Sequence, residues 1–270
     1  MAELYQIKVF GERNTATRAV IRMIDAADGL RGAGRPGVRR ADLAPLREMS
    51  EQVLGVMNGP WRRVYREAVN DLKDARVGPV GAWKHSAPRY HADFRTYDVR
   101  VLFTVRNPYS WILSLFKRPY HFLGPRQTEF ETFLRFPWMT MGRDHVDKIL
   151  MSPMDLWSKK LGAYQSFEAE ALAQGTRVST MRFEDFVQDP ALHLGEALKP
   201  LVDVPVQVEE LASPTKKGGL AAAERRSYYG SEGWRGGLSA SSVAFINERV
   251  NWDIAARYGY ARLDPSDFDG

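Results

Sequence analysis

The segment from Gly11 to Arg18, Gly-Glu-Arg-Asn-Thr-Ala-Thr-Arg, concentrates cations, hydroxyl groups and small residues. It follows a short apolar stretch that ends at Phe10 and precedes apolar residues spaced as on one helix face. A strand that turns directly into a helix aims backbone N–H groups and the positive end of the helix at one point, which is how α/β proteins hold phosphate or sulfate. The segment therefore predicts an anion-binding loop, with an ordinary capped turn as the alternative. The side chains that would supply hydroxyl donors and positive charge are Thr15, Thr17, Arg13 and Arg18.

A second set of polar residues follows the clearest strand pattern of the chain, Val99–Val105. This nearly uninterrupted apolar run is typical of a parallel strand buried on both faces. Arg106 comes next, at the strand end where ligands bind in open parallel sheets, and Asn107-Pro108 is a typical helix start. An arginine there and Ser114 on the following helix would suit a second phosphate group. The alternative is a surface arginine and a serine that only packs against a neighbour.

The apolar pattern of the remaining chain places these motifs in one α/β domain over residues 1–270, with a central parallel β-sheet flanked by helices. Further strands are predicted at Val77–Lys84 and Gly175–Phe183. Helices are predicted over residues 17–28, most of 42–75 with a break near Asn58, most of 109–175, 190–201 and about 239–258. A glycine-rich stretch at 29–41 is predicted to be a mobile loop, and residues 202–237 to be irregular.

Composition narrows the classes of function. The chain has no cysteine, which excludes disulfides, thiolate metal sites and a cysteine nucleophile. Its 38 basic and 33 acidic side chains give a net charge of +5, which fits either a solvated basic surface or an anionic ligand. No basic run with interleaved aromatic residues stands out, so nucleic acid is not the expected partner. The first residues do not form a signal peptide, and no apolar run is long enough to span a membrane, so we expect a soluble cytoplasmic protein.

The two polar motifs, taken in order, resemble the sulfotransferases that use 3′-phosphoadenosine 5′-phosphosulfate (PAPS). The eight-residue step from Arg106 to Ser114 matches that family's spacing, and Gly11–Arg18 is similar to the loop of its heparan-type branch, which ends in Gly-Thr-Arg. Further similar blocks are Arg182–Phe186 followed by Pro190, Trp234-Arg235 and Tyr258–Tyr260. The resemblance covers nearly the whole chain. It implies a P-loop NTPase-like fold, PAPS as co-substrate and no metal.

The resemblance also implies which residues hold the co-substrate. The 5′-phosphosulfate would lie on the first loop, and the 3′-phosphate would lie on the later arginine and serine. A late basic residue would join the 3′-phosphate site, where the family has Arg-Lys-Gly and this chain has Ser227–Tyr229; Arg225 and Arg226, or Lys216–Gly218, are the substitutes. The cofactor-binding residues implied in this way are Arg13, Asn14, Thr15, Ala16, Thr17, Arg18, Arg106, Ser114 and Arg226.

The loop departs from the family at two positions. Asn14 stands where the family has its catalytic lysine, whose charge stabilises the leaving phosphate in the transition state. Arg13 or Lys84 is left as the replacement. Ala16 replaces the usual glycine, which requires a negative φ at that position.

A general base must take the proton from the acceptor. The segment Trp83–Pro88 resembles the family's Lys-x-His-x-Pro region, and His85 is the one histidine of the chain beside a cation at a predicted strand end. We therefore assign His85 as the base, with a structural, hydrogen-bonded histidine as the alternative. Glu12 is the rival base, because some branches of the family use a carboxylate.

The resemblance thus implies transfer of a sulfuryl group from PAPS to a hydroxyl or amine of a small-molecule or carbohydrate acceptor by in-line displacement. Two other functions stay open. A P-loop nucleotide kinase is disfavoured because the loop lacks Gly-Lys-Ser/Thr and no carboxylate is placed for Mg²⁺. A non-catalytic protein that keeps the fold and binds a glycan or nucleotide is favoured by Asn14. The sequence identifies neither the acceptor nor the oligomeric state.

Overall fold

The computed structural model describes residues 4–33, 43–57, 59–120, 126–211 and 221–268. In this part of the chain a four-stranded parallel sheet has the strand order β2–β1–β3–β6. Its strands are β1 (Tyr5–Gly11), β2 (Leu30–Gly32), β3 (Val99–Val105) and β6 (Val178–Arg182). A short antiparallel pair, β4 (Trp138–Met139) with β5 (Ile149–Leu150), lies apart from it. The predicted α/β class with a central parallel sheet is confirmed.

Helices flank the sheet on both faces. Along β3, Leu102 packs with the helices of one layer, whereas Val101 and Phe103 pack into the larger core on the other face. The first layer contains α1 (Thr17–Ala26) and α10 (Pro190–Leu198), and the second is centred on α8 (Pro153–Ala173). The remaining helices are α2 (Ala44–Val56), α3 (Gly59–Arg76), α4 (Gly78–Gly81), α5 (Asp93–Thr96), α6 (Pro108–Lys117), α7 (Phe130–Arg135), α9 (Phe183–Gln188), α11 (Ala222–Gly230), α12 (Ala240–Arg249) and α13 (Trp252–Arg257).

The register brings the candidate residues to one edge of the sheet. Gly11 at the end of β1 is paired with Thr104, and Val105 at the end of β3 is paired with Arg182. Because all these strands run parallel, the loop after β1 and the residues after β3 leave the sheet at the same edge. This is the edge at which open α/β sheets bind ligands.

The predicted strand at Val77–Lys84 is wrong. Gly78 has φ +69° and begins the one-turn helix α4, whose second residue is Pro79, so the chain turns where a strand would extend. The segment makes one backbone hydrogen bond to β1, in which the Gly11 N–H donates to the Lys84 carbonyl at 2.9 Å. The segment therefore reaches the sheet edge without joining the sheet.

Three other boundaries differ from the sequence-based pattern. The stretch predicted as a mobile loop at 29–41 begins with β2, whose Leu30 pairs with Tyr5, and its residues 34–41 lie outside the described residues. The stretch 202–237, predicted to be irregular, contains α11 and a 3-10 turn at Gly233–Gly237, while residues 212–220 lie outside the described ones. The predicted last helix is two helices, because the Asn251 side chain caps α13 by accepting from the Ile254 N–H at 3.2 Å.

Candidate anion-binding site

The loop between β1 and α1 is tightly built. Gly11 lies so close to β3 that a Cβ there would sit 1.8 Å from Thr104 Oγ1. The Thr15 hydroxyl lies 2.5 Å from the Glu12 carbonyl, to which it donates, and 2.8 Å from Thr104 Oγ1, so Thr15 fastens the turn to β3. The backbone N–H groups of Thr17 and Arg18, at the start of α1, donate to no other described residue. They are the donors that a helix N-terminus offers to an anion.

Two residues of this loop have left-handed backbone conformations. Asn14 has φ +66°, and Ala16, the N-cap of α1, has φ +62°. Asparagine tolerates this conformation, whereas alanine is strained in it. The expectation of a negative φ at Ala16 is therefore wrong. The backbone at this position has a conformation that suits glycine, although the residue is alanine.

Replacing Ala16 by glycine is expected to stabilise the protein by up to about 1 kcal/mol. The left-handed conformation costs an L-residue about 1–2 kcal/mol, and the greater freedom of glycine in the unfolded chain offsets part of the gain. Urea unfolding followed by circular dichroism measures the change. Ala19→Gly, inside α1, is the matched control and is expected to lose about 1 kcal/mol. A destabilised Ala16→Gly protein would show that this turn is not strained.

Arg106 is buried and holds the loop to the rest of the site. Its guanidinium donates to the Asn14 carbonyl at 2.7 Å and to the Tyr229 hydroxyl at 2.9 Å. It also donates to the side-chain and backbone oxygens of Ser110, both at 2.9 Å. The group stacks over Phe183, with 4.2 Å to the ring centroid. A phosphate at Arg106 would therefore have to exchange with bonds that the protein already makes.

The other residues assigned to the 3′-phosphate lie on α6 and α11, the two helices that contact Arg106 through Ser110 and Tyr229. Ser114 is one helical turn after Ser110 on α6, half-buried, and its hydroxyl makes no hydrogen bond to a described residue. Arg226 lies one turn before Tyr229 on α11, where it forms an ion pair with Glu210 at 2.6 Å. The structure thus brings Arg106, Ser114 and the helix of Arg226 into one region, but it gives Arg226 a carboxylate partner.

The segment around His85 closes the other side of the loop. His85 is buried, and its Nδ1 lies 2.5 Å from the Gly11 carbonyl. Since a carbonyl only accepts, Nδ1 carries the proton and Nε2 keeps its lone pair. Burial, and then the charge of Arg13, lowers the pKa of His85 well below its usual value. His85 is therefore neutral at physiological pH, as a general base must be.

Three cationic side chains, those of Arg13, Arg18 and Lys84, lie near this histidine. Burial, together with the charges of Arg18 and Arg13, lowers the pKa of Lys84 to about 8. Neither Lys84 nor the exposed Arg18 forms an ion pair with a described residue. Arg13 lies between aromatic rings, with its guanidinium carbon 4.3 Å from the Tyr120 centroid and 5.1 Å from that of Trp83. Three cations thus surround the start of α1.

A buried ion cluster packs against the loop, and its central residue is not among those predicted from the sequence. Lys160 of α8 is fully buried, and its Nζ lies 2.8 Å from Glu12 Oε1 and 2.6 Å from Asp144 Oδ1. The same ammonium donates to the His85 carbonyl at 2.6 Å. Burial alone would lower the pKa of Lys160, but the Glu12 and Asp144 carboxylates raise it overall. Lys160 therefore stays charged and ties the loop to the His85 segment.

Glu12 is placed as a structural group. One of its oxygens accepts from Lys160, and the other accepts from the Tyr120 hydroxyl at 2.5 Å. Its side chain is only 1% exposed. With both oxygens engaged inside the protein, Glu12 is poorly placed to take a proton from an acceptor, which leaves His85 as the better base of the two.

A sequence signal for Lys160 does exist. Leu156, Lys160 and Tyr164 are four residues apart and share one face of α8, and both neighbours are large and buried. A lysine in the middle of such a face must find buried acids. The sequence alone does not say which acids, because Glu12 and Asp144 come from distant segments.

No protein-family model matches the chain, and no curated protein matches it in sequence. The described residues contain no group of three or more histidine, aspartate or glutamate side chains placed to hold a metal ion. Within the same residues, no helix is both long and apolar enough to cross a membrane. The arrangement of the loop, the three cations and a neutral histidine can bind an anion and accept a proton beside it.

Proposed function

We propose that the protein is a sulfotransferase of P-loop-like fold that uses PAPS as its donor. The observation that carries the proposal is the set of three cations, Arg13, Arg18 and Lys84, gathered at the start of α1 beside the neutral His85. Like charges held together in a partly buried site repel one another, and a bound anion relieves that repulsion. The ordered motifs that resemble the sulfotransferases favour a phosphosulfate as that anion.

In the proposed reaction, an acceptor hydroxyl or amine gives its proton to His85 Nε2 while its oxygen or nitrogen attacks the sulfur of PAPS. The bond between the sulfur and the bridging phosphate oxygen breaks, and adenosine 3′,5′-bisphosphate leaves with an additional negative charge. Lys84, Arg18 and the N–H groups at the start of α1 would stabilise that charge, which is larger in the transition state than in the bound donor.

Lys84 is the better replacement for the lysine that the loop lacks at Asn14. Arg13 is held between the rings of Trp83 and Tyr120, whereas Lys84 is half-buried and pairs with no described carboxylate. Its backbone is fixed to the loop by the bond between the Lys84 carbonyl and the Gly11 N–H. A cation on the residue next to the base would also keep the pKa of that base low, as the charge of Lys84 does for His85.

Binding of adenosine 3′,5′-bisphosphate is expected to weaken by about tenfold as the pH rises above about 8. The pKa of Lys84 in the free protein is about 8, so more alkaline solutions remove a charge that the nucleotide would contact. Calorimetric titrations at pH 7, 8 and 9 measure the effect. The Lys84→Met protein should bind weakly at all three pH values, while Lys199→Met, an exposed lysine paired with Glu196, should behave as the unmodified protein. An unchanged pH dependence in Lys84→Met would exclude Lys84 from the site.

The proposal is tested first by binding and then by transfer. Adenosine 3′,5′-bisphosphate should raise the melting temperature at submillimolar concentration and compete with PAPS, whereas ATP with Mg²⁺ should compete poorly. Radiolabelled PAPS, offered with a panel of phenols, sugars, glycolipids and amines, should then transfer its label to at least one acceptor. Absence of any thermal shift at millimolar adenosine bisphosphate would overturn the proposal, and tighter binding of ATP with Mg²⁺ would favour a kinase.

A second candidate is a non-catalytic protein that binds an anionic nucleotide or glycan. Two observations favour it: Asn14 carries no charge where the family has a lysine, and Arg106 already makes four hydrogen bonds within the protein. Binding of adenosine bisphosphate without transfer to any acceptor, and without slow release of sulfate from PAPS to water, would support this candidate over the enzyme.

A further inference from the structure

The hairpin of α2 and α3 carries apolar side chains that no described residue covers. Val56, at the end of α2, is 82% exposed, and Trp61, in the first turn of α3, is 72% exposed. Val64, one turn later, is 39% exposed. Of the seven tryptophans in the chain, the other six are buried or half-buried. An exposed tryptophan between two exposed valines marks a contact surface rather than a scattered apolar residue.

The same tip is strongly basic. Residues 52–66 include Arg62, Arg63 and Arg66 and contain no aspartate or glutamate. Arg62 and Arg63 are exposed and form no ion pair with a described residue, while Arg66 lies 3.7 Å from Glu67. The run Trp61–Arg66 does not stand out in the sequence, because it is short. Its exposure at the end of a hairpin makes it a candidate binding surface.

The base of the hairpin is bonded to the rest of the protein, whereas its tip is exposed. Glu67 and Asp71 of α3 form ion pairs with Arg143, whose side chain is only 5% exposed. Further along the helix, Asp74 accepts from the Trp83 N–H at 2.6 Å, in the segment that carries His85. Residues 59–64, by contrast, are all exposed. The hairpin therefore projects an uncovered end from a base that is bonded to the candidate site.

We propose that this tip, formed by Val56, Trp61, Arg62, Arg63, Val64 and Arg66, binds the surface of an anionic lipid bilayer. Tryptophan favours the boundary between headgroups and acyl chains, where its ring is apolar and its N–H stays hydrated. Arginines on the same tip meet lipid phosphates and carboxylates, and the absence of acids from residues 52–66 removes the repulsion that would oppose them. The attachment is peripheral, and it does not depend on the function proposed for the site.

The charge pattern favours a bilayer over the other occupants of such a surface. A second copy of the chain would place the arginines of two tips against each other in a symmetric contact, which is repulsive. Nucleic acid would use the arginines but would not require the flanking valines, which are aliphatic and do not stack on bases. A bilayer interface accommodates all three kinds of side chain at once.

Sedimentation with sucrose-loaded vesicles tests the proposal. The protein should bind vesicles of phosphatidylcholine with 30% phosphatidylserine at least tenfold more tightly than pure phosphatidylcholine vesicles, and less tightly as salt is added. Trp61→Ser and the double variant Arg62→Gln, Arg63→Gln should each lose at least fivefold in binding to the anionic vesicles. The matched controls are Leu172→Ser, an exposed leucine on α8, and Arg89→Gln with Arg95→Gln, and both should bind as the unmodified protein.

Tryptophan fluorescence gives an independent readout, since Trp61 is the most exposed of the tryptophans. Anionic vesicles should shift the emission to shorter wavelength, and Trp61→Ser should abolish the shift while keeping the melting temperature. Equal binding by the variants and the controls would overturn the proposal. It would also be overturned by a dimer that Trp61→Ser dissociates in the absence of lipid, or by oligonucleotide binding at concentrations at which vesicles are not bound.

Discussion

Replacing Lys160 by methionine is expected to destabilise the protein by about 3–5 kcal/mol. Methionine fills a similar volume, so the packing of α8 is largely kept. The loss arises because Glu12 and Asp144 remain buried without the ammonium that balances them. The His85 carbonyl loses its donor as well. Urea unfolding at pH 7 measures the change.

The neighbouring Lys159 provides the matched control. It pairs with the exposed Asp147, and Lys159→Met is expected to change stability by less than about 1 kcal/mol. Adding Glu12→Gln and Asp144→Asn to Lys160→Met should recover part of the loss, because it removes the unpaired charges. A loss below 1 kcal/mol in Lys160→Met alone would mean that water reaches the cluster.

The same variant should show a characteristic dependence on pH. Burial raises the pKa of Glu12, and Lys160 opposes that rise. Without Lys160 the carboxyl takes up a proton in the folded state at a pH at which the unfolded chain stays ionised. A group that binds more protons when folded makes the protein more stable as the pH falls. The loss of stability in Lys160→Met, relative to the unmodified protein, should therefore be smaller at pH 5 than at pH 7.

In the proposed transfer, His85→Asn is expected to lower kcat by about 10²–10⁴-fold. The asparagine amide can take the place of Nδ1 and donate to the Gly11 carbonyl, so the loop keeps its bond. The lone pair of Nε2, which would accept the proton, is lost. Steady-state rates with PAPS and the identified acceptor measure the effect, and binding of adenosine bisphosphate should stay within twofold.

His85→Gln is the companion variant, because its longer side chain places the amide nearer the position of Nε2 and cannot serve as a base either. If both variants keep full activity, His85 is a structural residue. Because the pKa of His85 is well below its usual value, the unmodified protein should show no histidine-type inflection in the rate of the proposed transfer between pH 6 and 8. Such an inflection would point to a different base.

Strand β3 and the loop after β1 could be predicted from the sequence because the signals for them are local. Val99–Val105 is apolar except for Arg100 and Thr104, and Asn107-Pro108 begins α6, where the Asn107 side chain caps the helix by accepting from the Tyr109 N–H at 3.0 Å. The loop after Gly11 is bounded by a strand pattern on one side and a helix pattern on the other. In both cases the signal lies within about ten residues of the structure it specifies.

The ion cluster and the hydrogen bonds of Arg106 to Asn14 and Tyr229 could not be predicted, because they join distant segments. Nothing near Glu12 indicates that Lys160 will lie beside it, and nothing near Arg106 indicates the Tyr229 hydroxyl. The error at Val77–Lys84 has a different origin. Its apolar residues Val77, Val80, Ala82 and Trp83 suggest a strand, but Gly78-Pro79 favours a turn, and the turn determines the local structure.

The contact between Arg106 and the Asn14 carbonyl has a consequence for how ligands would be sensed. The same guanidinium reaches the loop, α6 and Tyr229, so a ligand group that draws it away also releases the turn beside α1. Two subsites joined in this way are thermodynamically linked, and each changes the affinity of the other by the same factor. A nucleotide that occupies both subsites would then bind cooperatively. A fragment that carries only one of its ends would gain only part of the binding free energy of the whole nucleotide.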